Sequence, residues 1–325
     1  MKHEAGSRRQ EMGRRVCRTG TFPFGTFNFS YFLLLVSGIL LLSSCSLRKP
    51  ATAITADIAT RGMIAVETEE DLYVANESAL PLIKIVEVLS YGDPENKKFQ
   101  GLLAKVYGNY AFGFGEVEMK KAKDPSEWSE RVKTFYFKGK ISGVKALSSG
   151  KKTIENVPMQ DFVKYLKTFG KKDQGALFWT AFDWGSYINM NRTDIIEAAN
   201  LPRVEAMVDR VIEIDPEFNC GAAYAFKGAI IAGNPLRNGG RPETAKPYFE
   251  KALLSCDGKY LMNKVMYAEW YGVNANDKRL FSSKLNDVLG SDSAALPSQR
   301  LANELAKERA RFLLNSVKQL MPRED

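Results

Sequence analysis

Histidine is almost missing from this chain: the one copy in 325 residues is His3, and cysteine is nearly as scarce, with four. Histidine is the commonest acid/base at neutral pH and the commonest zinc ligand. Its absence after residue 3 therefore excludes triads of the Ser/His/Asp or Cys/His type and most zinc sites. Apolar runs are short too. Tyr31 to Leu42 covers 12 residues, too few for an ordinary membrane span and about right for a signal core, and nothing after Leu42 is long and apolar enough to cross a bilayer. Gly113-Phe114-Gly115 and the stretch Gly139 to Gly143 lack both the GxxxxGK[ST] spacing and the strand context of a phosphate loop, and they read as helix ends and turns. Asp71, Glu77, Glu87 and Asp93 fall on one segment, where acidic groups ordinarily cap a helix or face water rather than hold a metal. Without convincing paired carboxylates at glycosidase spacing, no enzyme is expected and no cofactor is implied.

What is present begins with Leu42-Ser43-Ser44-Cys45, which closes the apolar run as a lipoprotein processing box closes a signal peptide. Arg8, Arg9, Arg14, Arg15 and Arg18 supply the positive region before it. Cleavage would remove residues 1–44 as the signal peptide and leave Cys45 carrying a diacylglycerol and, in some lipoproteins, an N-acyl group. The expected product is a membrane-anchored lipoprotein facing the periplasm, with residues 45–65 as lipidated N-terminus and tether. An uncleaved anchor would put the domain on the same side. Removing the six basic and two acidic residues before Cys45 leaves 40 against 36, or +4. That is no nucleic-acid footprint, and Lys97-Lys98, Lys120-Lys121, Lys151-Lys152 and Lys171-Lys172 read as solvated turns.

From residue 66 to 325 the chain reads as helices. Ala79, Leu82, Ile83, Val86 and Leu89 recur at spacings of three and four until Gly92-Asp93-Pro94 stops them, and Leu102, Leu103, Val106, Tyr107 and Tyr110 start the next helix. The phrase recurs. Val204, Val208 and Val211 lie on a helix ending Glu213-Ile214-Asp215-Pro216, and Ala222, Tyr224, Gly228 and Ile231 open its successor. Ala245, Phe249 and Ala252 then precede Tyr267, Ala268 and Tyr271. Short turns make these helices antiparallel neighbours, while small residues at Gly108, Ala181, Gly228 and Ala268 let paired helices approach. The expected fold is all-α: an antiparallel helix-pair solenoid of divergent tetratricopeptide-like repeats. Its C-terminal helix, over 298–320, would cap the last repeat with Leu301, Leu305, Phe312, Leu313, Val317 and Leu320. Residues 115–175 break the phrasing and read as a long insertion with one helix near Met159 to Phe169.

Val204 to Ala252 resembles a tetratricopeptide repeat. Taken with the lipobox, LLAKVYGNYAFGF at 102–114, ALFWTAFDWGSYI at 176–188, EIDPEF at 213–218 and KVMYAEWYGV at 264–273, the whole mature chain resembles the TatT family. That family is the helical-repeat lipoprotein component of a TRAP-type transporter of treponemes. The resemblance implies a non-enzymatic role, a homotrimer, and a partner that is the periplasmic solute-binding protein. It also implies a cavity or pore offered to that partner's ligand. A membrane-tethered repeat scaffold for cell-envelope assembly, without a ligand cavity, is the alternative.

Two sets of residues are candidate sites. Phe178, Trp179, Phe182, Trp184 and Tyr187 fall within ten residues, and Trp270 with Tyr271 repeats the excess. These rings either fill the core between helices or line an apolar cavity rimmed by Asp183, Asn189 and Glu269, which would suit a small apolar or amphipathic ligand. Cys220 and Cys256 fall at the same end of one helical hairpin. Two buried thiols are the ordinary case there, and a disulfide in an oxidising compartment is the other.

Overall fold

The computed structural model describes residues 29–148, 153–233 and 242–322. The chain divides into two units, residues 1–48 and 49–325. Helix α1 (Phe29–Gly62) accounts for the described part of the first, and its residues from 49 on belong to the second. The basic region before residue 29 lies outside the described residues. Cys45 belongs to the backbone of α1, and its side chain lies outside them as well.

The second unit departs from expectation at once, because the segment expected as a tether is helical and packed from Lys49. Ala56 and Met63 are buried, Thr52 Oγ1 donates to Asp93 Oδ2 at 2.6 Å, and Lys98 pairs with Asp57 at 3.0 Å. Alanines at 51, 53, 56 and 59 explain the difference: short side chains suit a flexible linker, and they also suit a helix. After α2 (Ile64–Glu67), α3 (Leu72–Gly92) starts at Asp71, whose carboxylate accepts from the amides of Tyr73 and Val74. Asn96 does the same for α4 (Lys97–Tyr110). Caps of this kind each contribute about 1 kcal/mol.

The expected insertion is the second correction. Residues 115–175 hold α5 (Glu116–Lys121), the 22-residue α6 (Ser126–Leu147) and α7 (Met159–Leu166). Helix α6 packs directly between α4 and α8 (Gln174–Met190) as a full member of the stack. Its glycines mark close approach rather than the turns expected from their spacing. A Cβ on Gly143 would lie 2.2 Å from Thr180 Oγ1, and one on Gly139 2.2 Å from Asp183 Oδ2. Neither glycine ends a helix.

The later pairs follow the sequence phrasing. Helices α9 (Ile195–Ala198) and α10 (Leu201–Ile214) lead to α11 (Ala222–Ala232), α12 (Lys246–Leu254) and α13 (Leu261–Met266), then to α14 (Lys278–Gly290), α15 (Arg300–Asn315) and α16 (Val317–Leu320). Gly228 takes the ring of Phe249, which a Cβ would meet at 2.8 Å. Cys220 and Cys256 are joined, with their Cα atoms 5.3 Å apart. Each sits in a run of three left-handed residues, Asn219-Cys220-Gly221 and Cys256-Asp257-Gly258, with φ from 47° to 74°. Between those turns Asn263 Nδ2 donates to the carbonyls of Cys220 and Ala252, both at 2.8 Å.

All regular elements among the described residues are helical, and α15 does more than cap the stack. It packs on α13 and α14 and also returns to touch α2 and α3, so the superhelix closes on itself. Asn303 pins it by accepting from the Leu261 amide at 2.9 Å and donating to Lys259 O at 3.0 Å. The closure leaves an interior that an open solenoid would lack. Among the described residues no helix is long and apolar enough to cross a membrane.

Candidate functional site

Two helices change their winding where they face this interior. Residues Ala111–Gly115 after α4 and Tyr267–Gly272 after α13 form π-helical turns. Such turns widen a helix locally and re-aim one side chain, and they are frequent at functional sites. Here they present Phe112 and Trp270. Gly113 lets α15 approach the first turn, since a Cβ there would meet Leu305 Cδ1 at 2.9 Å.

Three cavities lie in series along the interior. The first, of about 390 Å³, is walled by α8, α10, α11 and the second π-helical turn, with Phe182, Phe226, Met266 and Trp270 among its apolar surfaces. The second, of about 330 Å³, lies among α2, α3, α4 and α15 and includes Trp179, Tyr260 and Leu305. A neck of about 60 Å³ shares Phe182, Phe226 and Met266 with the first and Asn109, Trp179 and Tyr260 with the second. Phe112 lines all three.

A buried ionic cluster holds Phe112 in place. Arg309, from α15, donates to Glu269 at 2.6 and 3.0 Å and to Glu116 at 2.7 Å. Its guanidinium lies 4.5 Å from the centre of the Phe112 ring, and Nη1 donates to the Phe112 carbonyl at 3.3 Å. Lys120 adds a bond to Glu269 at 2.5 Å, and the Tyr136 hydroxyl donates to Glu116 at 2.8 Å. Burial opposes ionisation of Glu269, but the charges of Arg309 and Lys120 prevail and hold its carboxyl down at about 2. The Tyr136 phenol is pushed well up, by burial first and then by the charge of Glu116. In the second cavity, Glu67 is paired with Lys105 and Asn219 accepts from Gln299 at 3.1 Å. The Tyr260 phenol beside them is pushed up to about 12, chiefly by burial.

The expected aromatic set splits accordingly. Phe182 and Trp270 line the first cavity, Trp179 the second, and Phe178, Trp179 and Phe182 the neck. Trp184, Tyr187 and Tyr271 line none of these and belong to the packing. Trp184 is buried, donates Nε1 to Glu197 at 3.0 Å, and carries the Lys140 ammonium 4.7 Å from its ring centre. Tyr187 packs on Phe137 at 5.3 Å, and Tyr271 packs on Tyr267 at the same distance. The helix turns by about 100° per residue, so Trp184 points some 200° from Phe182, toward α6 and α9. The expected rim also divides. Asn189 lines the first cavity, Glu269 is locked in the ionic cluster, and Asp183 is sealed between α4, α6 and α8. Both Asp183 oxygens lack a hydrogen-bond partner, and burial pushes its carboxyl well up.

Phe112, Phe226, Glu116 and Arg309 were not singled out from sequence. Phe112 stands inside an apolar phrase like any core ring, and Arg309 interrupts an apolar stripe with nothing to mark it as buried. Among the described residues no group of three or more His, Cys, Asp or Glu side chains has the arrangement of a metal site.

Comparison with known proteins agrees with this architecture. An uncharacterized protein of Treponema pallidum (strain Nichols) is 21% identical over 297 residues, covering 84% of this chain and 92% of that protein. The family model described as TRAP transporter T-component matches residues 68–321, from just before α3 to just past α16. That classification is a transporter component rather than a class of enzyme, and on a match of this extent the chain belongs to the TRAP transporter T-component family.

Proposed function

We propose that this chain is a non-enzymatic lipoprotein that docks the solute-binding protein of a TRAP-type system and gives its apolar or amphipathic ligand a protected path. Anchoring is through acylated Cys45, with the helical domain facing the periplasm. The observation that carries the reading is the series of cavities meeting at Phe112 inside a superhelix closed by α15. A scaffold needs only a groove, whereas two cavities of ligand size joined by an aromatic neck suit passage of a solute. Self-association as a trimer is part of the reading. It draws on the outer face of α3, where Tyr73, Ile85, Val88 and Tyr91 are exposed.

The test is to produce the full chain together with the solute-binding protein of its transporter and measure both association and uptake of an environment-sensitive apolar dye. Association in sedimentation, with dye binding weakened when Phe182 and Phe226 are replaced by polar residues, is the expected result. Normal association without any apolar dye uptake would leave docking intact and overturn the path.

A further inference from the structure

We infer that the junction between the neck and the second cavity is a collar for a small uncharged head that both donates and accepts hydrogen bonds. Such a head is the hydroxyl or carboxamide of a single-chain amphiphile, and Asn109, Asn219 and Tyr260 are its polar contacts. This rests on the path proposed above and adds the chemistry of what enters it.

Phe112, Trp179 and Met262 line both the neck and the second cavity, and so do Asn109, Asn219 and Tyr260. Asn109 is exposed, and its carboxamide has no hydrogen-bond partner among the described residues, so its donor and its acceptor are both open to whatever occupies the junction. Asn219 Oδ1 accepts from Gln299, and its side chain meets the Tyr260 hydroxyl, whose own proton is left to give. The backbone at Asn219 is left-handed, with φ 47°, and is fixed by the crosslink at Cys220 and by Asn263, which donates to the Cys220 carbonyl. A polar side chain held in that way is a preorganised contact. Asn263, the neck's other amide, gives its donors to two carbonyls and is committed. Charge is what the junction lacks. Among the described residues no Asp, Glu, Lys or Arg lines the neck, and in the second cavity Glu67 and Lys105 pair with each other. An ionic head would lose its water there without a counter-charge, whereas a bare hydrocarbon would strip water from Asn109 and Tyr260 and return no bond. A neutral group that gives one bond and takes another meets both conditions. Its chain then lies on the apolar wall of the second cavity, among Leu82, Ile83, Val106 and Leu305.

The test uses the full chain in lipid nanodiscs, loaded with the environment-sensitive apolar dye. Octanamide, 1-octanol, 1-chlorooctane, octanoate and octylammonium are titrated as competitors, with free concentrations corrected against empty nanodiscs. Octanoate and octylammonium should displace the dye least well, and octanamide and octanol at least as well as chlorooctane, which a purely apolar pocket would rank first. The deciding quantity is the affinity of octanamide relative to chlorooctane. Asn109→Leu, which keeps the size of an exposed side chain and removes both polar groups, should lower that ratio about threefold to tenfold, the size of one neutral hydrogen bond. Should circular dichroism show Asn109→Leu to have lost its fold, Asn219→Gly takes its place, because glycine adopts φ 47° freely; the same fall in the ratio is expected. An unchanged ratio in the folded variant, or tightest binding by octanoate or octylammonium, would overturn the collar and leave the path standing. Failure of all five competitors to displace the dye, or of the dye to bind, would remove the path with it.

Discussion

Arg309 grips both carboxylate oxygens of Glu269, Nε reaching Oε2 at 2.6 Å and Nη2 reaching Oε1 at 3.0 Å across 40 residues of sequence. The bond fastens the last long helix to the π-helical turn that carries Trp270, and the same guanidinium reaches Glu116 beside the other turn. Removing one partner of a buried ion pair strands the other, at a cost of about 3–5 kcal/mol. Arg309→Met should therefore lower the unfolding free energy by that order in urea titrations at pH 7. The pH dependence has a definite sign. The folded carboxyl of Glu269 lies at about 2 against an ordinary 4.5, so its contribution is complete above pH 4.5 and is lost as pH falls toward 2. In Arg309→Met that loss should shrink, and an unchanged acid limb would contradict the coupling.

Asp183 works in the opposite direction. Its carboxyl is buried without a partner against Gly108 and Gly139 and is pushed well above 3.8. The unfolded chain ionises near 3.8 while the folded chain resists, so this group costs stability increasingly as pH rises from about 4. Asp183→Asn should flatten that part of the stability profile, seen as a smaller drop in Tm between pH 4 and pH 7. Gly139→Ala, which puts a methyl 2.2 Å from Oδ2, should destabilise by about 1–3 kcal/mol, as overpacking usually does.

The sequence made some of this legible and hid the rest for physical reasons. Helix ends at Asp71 and Asp215 are local chemistry, so an acidic cap and the Asp-Pro turn could be read directly. The paired helices around Gly228 and Phe249 were legible because small and large residues alternate there at helical spacing. Helix α6 was not, because glycine serves both turns and close packing, and only Thr180 and Asp183 on a distant helix decide which. Closure of the superhelix was hidden too. It is fastened by Arg309 meeting Glu116 and Glu269, far apart in the chain: Glu116 and Arg309 look like ordinary surface, and Glu269 reads as the rim of a cavity rather than as a buried partner. Sorting the aromatic rings failed for a related reason: the rings of α8 point all round the helix, and only its neighbours tell which ones meet empty space.

The bond between Cys220 and Cys256 spans 36 residues. Closing a loop of that length stabilises by roughly 3–4 kcal/mol on the chain-entropy account. A non-reducing peptide map of protein taken from an oxidising compartment should recover the two segments as one linked species. Cys220→Ser with Cys256→Ser should lower stability by that order, and recovery of two free thiols would remove the crosslink.

Cys45 is testable apart from the fold. The box Leu42-Ser43-Ser44-Cys45 leads to the expectation that Cys45→Ser blocks processing or releases the protein from membranes. Intact mass of the membrane-bound form should show residues 1–44 gone and an acyl mass gained. Retention of those residues would replace the lipid anchor with an uncleaved one, while the helical domain from Lys49 onward would be unaffected.

Phe112 should control exchange between the two cavities. Its ring borders both and the neck between them, and Arg309 fixes it through the carbonyl and the ring face. Phe112→Trp enlarges the ring at the neck, whereas Phe112→Ala opens it at a stability cost of roughly 2–3 kcal/mol, below that of a fully buried phenylalanine because the side chain already borders open space. If solute passes through the neck, release of a preloaded apolar dye into excess solute-binding protein should be slower for Phe112→Trp and faster for Phe112→Ala, with dye affinity changed far less than rate. The two substitutions act in opposite directions on a gate and in the same direction on a damaged core. Release rates that fall together, or that follow Tm alone, would show Phe112 to be packing rather than the gate.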